Sequence, residues 1–221
     1  MYWRADMKEP IYQDDGQRRN AYQNERNDRW SLEDALLLPI TSLIRATLQQ
    51  GKELVKFQLY AKSLIDQYKA DHPNDTEIPG YIIGAPDILL EIGELKWYVE
   101  IKIKRHRYMN TVGGTSTVKK YGCPSHYLDI NPVYNNILTH ARHFKIPLDS
   151  IILLYCVNPN ASQNMRTPLN LSEWAFEGIN LDDLKKNIDN GRYQRYGQGY
   201  GQITWLISCN DLSPIQTIFK G

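Results

Sequence analysis

Cysteine is scarce in this chain. Only Cys123, Cys156 and Cys209 occur in 221 residues, far apart and without C-x-x-C spacing, which argues against a disulfide framework and against a zinc ribbon. The expected compartment is therefore reducing and intracellular. An excess of one charge sign is also missing: 26 Lys and Arg face 25 Asp and Glu, for a formal net charge of +1. No global electropositivity announces a nucleic-acid partner, so any such signal has to be local. Long apolar runs are lacking too, since none approaches the ~18 residues that span a bilayer. The opening stretch MYWRADMKEPIYQDD has no apolar h-region. A soluble, cytoplasmic protein without membrane association is expected. Internal repeats, a Gly-rich Walker loop and a nucleophile elbow are likewise absent from the sequence.

What is present suffices for a core: 42% of the residues are hydrophobic, and a chain of this length is most simply one domain. Residues 1–30 carry Arg4, Arg18, Arg19, Arg26 and Arg29 among Tyr, Gln, Asn and Asp with almost no aliphatics. Such a segment cannot form a core of its own. It reads as a polar arm, either draped on the surface or reaching to DNA or a second subunit, followed by a single domain over 31–221.

The strongest pattern lies in residues 80–105, GYIIGAPDILLEIGELKWYVEIKIKR. Ile88, Leu90, Ile92, Leu95, Trp97, Val99, Ile101 and Ile103 share one parity of a period-2 alternation, which predicts a hairpin of half-buried strands turning at Gly93-Glu94. The other parity holds Asp87, Leu89, Glu91, Lys96, Tyr98, Glu100, Lys102 and Lys104. A two-residue turn pairs Glu91 with Lys96 and Leu89 with Tyr98, and it sets Asp87 directly opposite Glu100. Their Cβ atoms would then be about 4.5–5.5 Å apart, where like charges repel. A hard divalent cation such as Mg²⁺ compensates such a pair. A merely solvated charged face is the alternative, but here the acids oppose each other instead of their cations. Pro86 suits a strand start, where no ladder donor is needed.

Pro86-Asp87, twelve residues, then Glu100-Ile101-Lys102 resembles the PD-(D/E)xK motif of the restriction-endonuclease-like nuclease superfamily. The motif is short, and its placement on two strands of one hairpin is what gives it specificity. The resemblance implies an α/β fold with a restriction-endonuclease-like core, a mixed central β-sheet flanked by helices. It covers residues 40–160 as an order of elements. It further implies Mg²⁺-dependent hydrolysis of DNA phosphodiesters with Asp87, Glu100 and Lys102 as catalytic residues. Asp87, Glu100 and the Ile101 carbonyl would bind metal. Glu53, on the helix expected before the hairpin, is the candidate for a further metal ligand.

Around this hairpin the remaining expectations are coarser. Helical spacing runs from Ser42 to Ala70 with Gly51 as a break, and Ser31 with Asp34 resembles a capping box for a short helix ended by Pro39. Lys104 and Arg105 extend the local basic run, and Lys119 and Lys120 in TVGGTSTVKKYG suit phosphate contacts. A helix over 131–144 starts at Asn131-Pro132, with His140 and His143 off its apolar stripe and read as surface residues. SIILLYCV reads as a strand buried on both faces, and NLDDLKKNIDNG as a short helix. RYQRYGQGYGQ reads as a mobile loop before the strand ITWLIS. Gln194 and Arg195 in that loop are candidates for reading adenine and guanine edges. The leading expectation is a site-specific endonuclease similar to type II restriction enzymes, acting on double-stranded DNA, as a homodimer where it cuts a palindrome. A repair or mobile-element nuclease, a non-cleaving DNA-binding module and an unrelated interaction domain are the alternatives.

Overall fold

The computed structural model describes residues 37, 41–42, 44–46, 55–104, 111–112, 115–116, 124–157, 174–198 and 202–219. Its centre is a six-stranded mixed sheet. β1 (Val55–Leu59), β2 (Ile88–Ile92) and β3 (Leu95–Lys104) are joined antiparallel, β7 (Ile151–Val157) lies parallel to β3, and β8 (Ala175–Asn180) and the short β11 (Ser213–Pro214) complete the far edge antiparallel. The β2–β3 register follows the sequence pattern, with Ile92 opposite Leu95 and Ile88 opposite Val99. Gly93 takes a positive φ of 59° at the first turn position, the backbone demand that selects glycine there.

Alternate residues of these strands feed two cores. Ile88, Leu90, Val99, Ile101, Ile152, Leu154 and Cys156 pack on one face with Ile44, Trp174, Ile215 and Phe219. On the other face Ile151, Leu153, Tyr155, Val157 and Ile179 pack against Leu128, Ile137, Ala141, Leu181, Leu184 and Ile207. All seven β7 residues are buried, as expected of a strand covered on both sides. Each fully buried aliphatic contributes about 1.5–3 kcal/mol.

Helices α1 (Tyr60–Asp71) and α2 (Gly80–Ile83) connect β1 to β2, and α3 (Asn135–Phe144) follows a π-helical turn at Ile130–Tyr134. Asn131 stays extended, as a capping residue does, and Lys145 closes α3 in the left-handed region at φ 55°. α4 (Leu181–Asp189) is capped by the Asn180 side chain, which accepts from the Asp183 N–H at 2.8 Å. A short α5 (Ile215–Ile218) ends the described chain. β4 (Thr111–Val112) and β5 (Thr115–Ser116) form a minimal hairpin within the stretch expected to be a loop. A second sheet, in the order β6 (Ser125–Asp129), β10 (Gln202–Ser208), β9 (Gln194–Gln198), stands beside the first.

Three sequence expectations are corrected. Residues 55–59 form the edge strand β1 and not part of a helix: Val55, Phe57 and Leu59 fit a period of 2 as well as a helical one, and β2 offers an unpaired edge. The segment holding Gln194 and Arg195 forms strand β9, because pairing with β10 supplies an order that its own polar pattern does not specify. His140 is fully buried and not a surface residue; α2 packs over it, and its Nδ1 lies 2.7 Å from the Tyr81 carbonyl. The arm 1–30, Ser31, Asp34, Pro39 and Gly51 lie outside the described residues.

Candidate active site

Asp87 precedes β2 by one residue, and the register that pairs Ile88 with Val99 carries it opposite Glu100. Its backbone is fixed by the Tyr60 N–H at the start of α1, which donates to the Asp87 carbonyl at 2.9 Å. Its carboxylate is fixed by the Ile101 N–H, which donates to Oδ2 at 2.7 Å. Extending the register sets Pro86 opposite Ile101. Pro86 has no N–H to give, so no ladder donor reaches the Ile101 carbonyl, while the Ile101 N–H is taken by the Asp87 carboxylate. N–H and C=O of one strand residue leave on the same edge, and the Ile101 carbonyl therefore emerges just past the end of β2, beside Asp87.

Glu100 lies in mid-β3 at 8% exposure, opposite Leu153 of β7. Lys102, two residues on and on the same face, holds its Nζ 2.7 Å from Glu100 Oε1, with both side chains less than a fifth exposed. The face is thus not a solvated one: a nearly buried carboxylate is kept with a cation in contact and a second carboxylate across the strand gap. Carboxylates and a main-chain carbonyl are hard oxygen donors, the set that suits Mg²⁺, so the residues present fit the ion that the motif implies. Lys104 ends β3 with the same parity and is half-buried.

Tyr60, which the sequence did not single out, forms an aromatic cluster beside Asp87. Tyr60 meets Tyr98 edge-on at 5.1 Å and His140 at 5.5 Å, and burial followed by the neighbouring Tyr98 pushes the Tyr60 phenol up to about 12. Burial also lowers the His140 imidazole below its ordinary value, the Tyr81 carbonyl opposing and His143 assisting. The only available signal was α3 itself, on which His140 sits one residue before the stripe position Ala141.

The other candidates scatter. Arg195 is exposed on β9, its guanidinium 5.6 Å from the ring of Trp205, its partner on β10. Gln194 heads the same strand. Glu53, Arg105, Lys119 and Lys120 lie outside the described residues. A second cluster that the sequence did not reveal joins His126 of β6, Glu177 of β8 and Cys209 just after β10, their donor atoms all within 4.8 Å of one another.

A mixed α/β fold with a carboxylate pair across the β2–β3 hairpin and an adjoining lysine is what the geometry defines. No family model and no curated protein matches the chain. Among solved structures it is similar to D212, a nuclease from a fusselovirus, at 13% identity over 85% of each chain with a TM-score of 0.40, a likeness too distant to bear on function. No helix among the described residues is long and apolar enough to cross a membrane.

Proposed function

We propose that the protein is a Mg²⁺-dependent DNA endonuclease of the PD-(D/E)xK type, site-specific in the manner of type II restriction enzymes and acting on duplex DNA as a homodimer. One observation carries this reading: the hairpin register, capped by the Ile101 N–H to Asp87 bond, brings Asp87, Glu100 and Lys102 to one face of the β2–β3 hairpin.

Asp87 and Glu100 would hold the ion, with the Ile101 carbonyl as a further ligand. Bound there, Mg²⁺ would supply Lewis acidity to the scissile phosphate and a more acidic water. Asp87 is oriented before any ligand arrives, because its carboxylate and its carbonyl are both tied to main-chain N–H groups. Lys102 holds positive charge against Glu100, and from there it reaches the attacking water and the phosphate oxygens on which charge develops. Lys104, one pleat further, contacts a flanking phosphate.

Supercoiled plasmid incubated with the purified chain tests the reading. Nicked or linear product should form with Mg²⁺ and vanish with EDTA. Binding without cutting in Mg²⁺ would favour the DNA-binding module, and neither binding nor cutting would overturn the proposal.

A further inference from the structure

The cluster of His126, Glu177 and Cys209 stands apart from the site described above. In the central sheet Lys102, Tyr155 and Glu177 are successive cross-strand partners on one face, so Glu177 lies two strands from Lys102, roughly 10 Å away, with Tyr155 between them. His126 is 1% exposed, its Nε2 is 2.7 Å from Glu177 Oε1, and its ring is stacked on Tyr155 at 4.2 Å and 9°. Cys209 is brought in from the other side: Ser208 pairs with Ser125 at the end of the β10–β6 ladder, and the Cys209 N–H donates to the Pro124 carbonyl at 3.0 Å.

From these positions we infer that His126, Glu177 and Cys209 form a binding site for a zinc ion that staples the second sheet to the central one. The donors converge, all within 4.8 Å of one another. A nucleophilic Cys-His-acid relay would instead place thiol and carboxylate on opposite sides of the imidazole. Imidazole, carboxylate and thiolate together form a borderline-soft set that selects zinc over Mg²⁺. Tetrahedral zinc with these donors spaces them about 3.3–3.6 Å apart, so the His126–Glu177 contact opens by about 0.6 Å and the others need no large movement. Two anionic donors balance the dication, and water takes the fourth position. The stacked ring of Tyr155, itself fully buried, holds the imidazole plane in place.

This site does not depend on the nuclease reading. The test uses the full, untagged chain, stripped with chelator and titrated with Zn²⁺ or Co²⁺. About one zinc per chain should bind and raise Tm, and Co²⁺ should give a thiolate-to-cobalt charge-transfer band. Cys209→Ser should lose the band, Glu177→Gln should lose the zinc-dependent rise in Tm, and Asp87→Ala/Glu100→Ala should keep both. Substoichiometric zinc with no cobalt band in the parent chain would overturn the inference. So would a band that survives in Cys209→Ser, or an undiminished rise in Tm in Glu177→Gln.

Discussion

Lys102 is paired with Glu100 at 2.7 Å on the face that Asp87 borders, and its proposed role follows from that position. Asp87→Ala and Glu100→Ala each remove a proposed metal ligand and are expected to abolish Mg²⁺-dependent nicking. Lys102→Ala keeps the proposed ligands but removes the positive charge beside Glu100 that is proposed to face the phosphate. It should lower kcat by about 10²–10³-fold with the Mg²⁺ concentration for half-activity changed far less. Circular dichroism of all three should match the parent, so that lost activity is not lost fold. Cutting that survives in all three would put the chemistry elsewhere. His140 makes a different kind of prediction. Its Nδ1–H donates to Tyr81, and its buried Nε2 has no hydrogen-bond partner among the described residues, so the folded protein holds it neutral. Burial lowers its pKa from the ordinary 6.5. The unfolded chain therefore takes up the proton first as pH falls, and the contribution His140 makes above 6.5 is lost between that pH and its lower folded value. Tm measured from pH 8 to pH 5 should fall less steeply in His140→Gln than in the parent; equal slopes would show that His140 does not titrate in this way.

At the scale of the element, legibility tracked how far each pattern is self-sufficient. The β2–β3 hairpin could be read residue by residue, register included, because its core face, its glycine turn and its proline start all act locally. β7 was equally plain, since a strand covered on both sides must be apolar throughout. β1, β6 and β9 are specified by what they pair with: VKFQL at residues 55–59 fits a strand and a helix alike, and SHYLD and QRYGQ carry too little periodicity to choose a strand by themselves. The His126, Glu177 and Cys209 cluster was invisible for the same reason, being assembled from β6, β8 and the end of β10, far apart in sequence. Gly84 shows how packing of elements reaches the site. A Cβ there would meet the Asn136 carbonyl oxygen at 2.1 Å, so α2 touches the start of α3 through bare backbone. Gly84→Ala must push the two apart, costing about 1–3 kcal/mol as overpacking does. Because Gly84 is three residues before Asp87, the shift should also reduce nicking at temperatures where the variant remains folded. Urea midpoints and activity at 20 °C check both, and a variant as stable and active as the parent would mean that α2 yields without cost.

Over the whole molecule, the proposed site lies on β2 and β3 of the central sheet while Arg195, exposed on β9, belongs to the second sheet. That separation suggests a division of labour between cutting and reading. The Arg195 guanidinium is exposed on an edge strand of the second sheet, 5.6 Å from the Trp205 ring, and its planar fork is the group suited to a bidentate contact to guanine. Lys104, at the end of β3, is the proposed phosphate contact instead, and phosphate contacts carry charge but no sequence information. Removing each should therefore fail differently. Arg195→Ala should cost about 1–3 kcal/mol of discrimination at one base position, seen as a relaxed preference when a randomised duplex library is cut and the products sequenced. Lys104→Ala should lower cutting on every sequence alike and flatten the dependence of binding on salt, by about one unit of slope for one lost phosphate contact. Should the parent chain cut the library without preference, the type II reading fails and a repair-type nuclease becomes the better account. Should Arg195→Ala instead lose activity uniformly, β9 contacts the backbone, and sequence reading must come from another part of the chain.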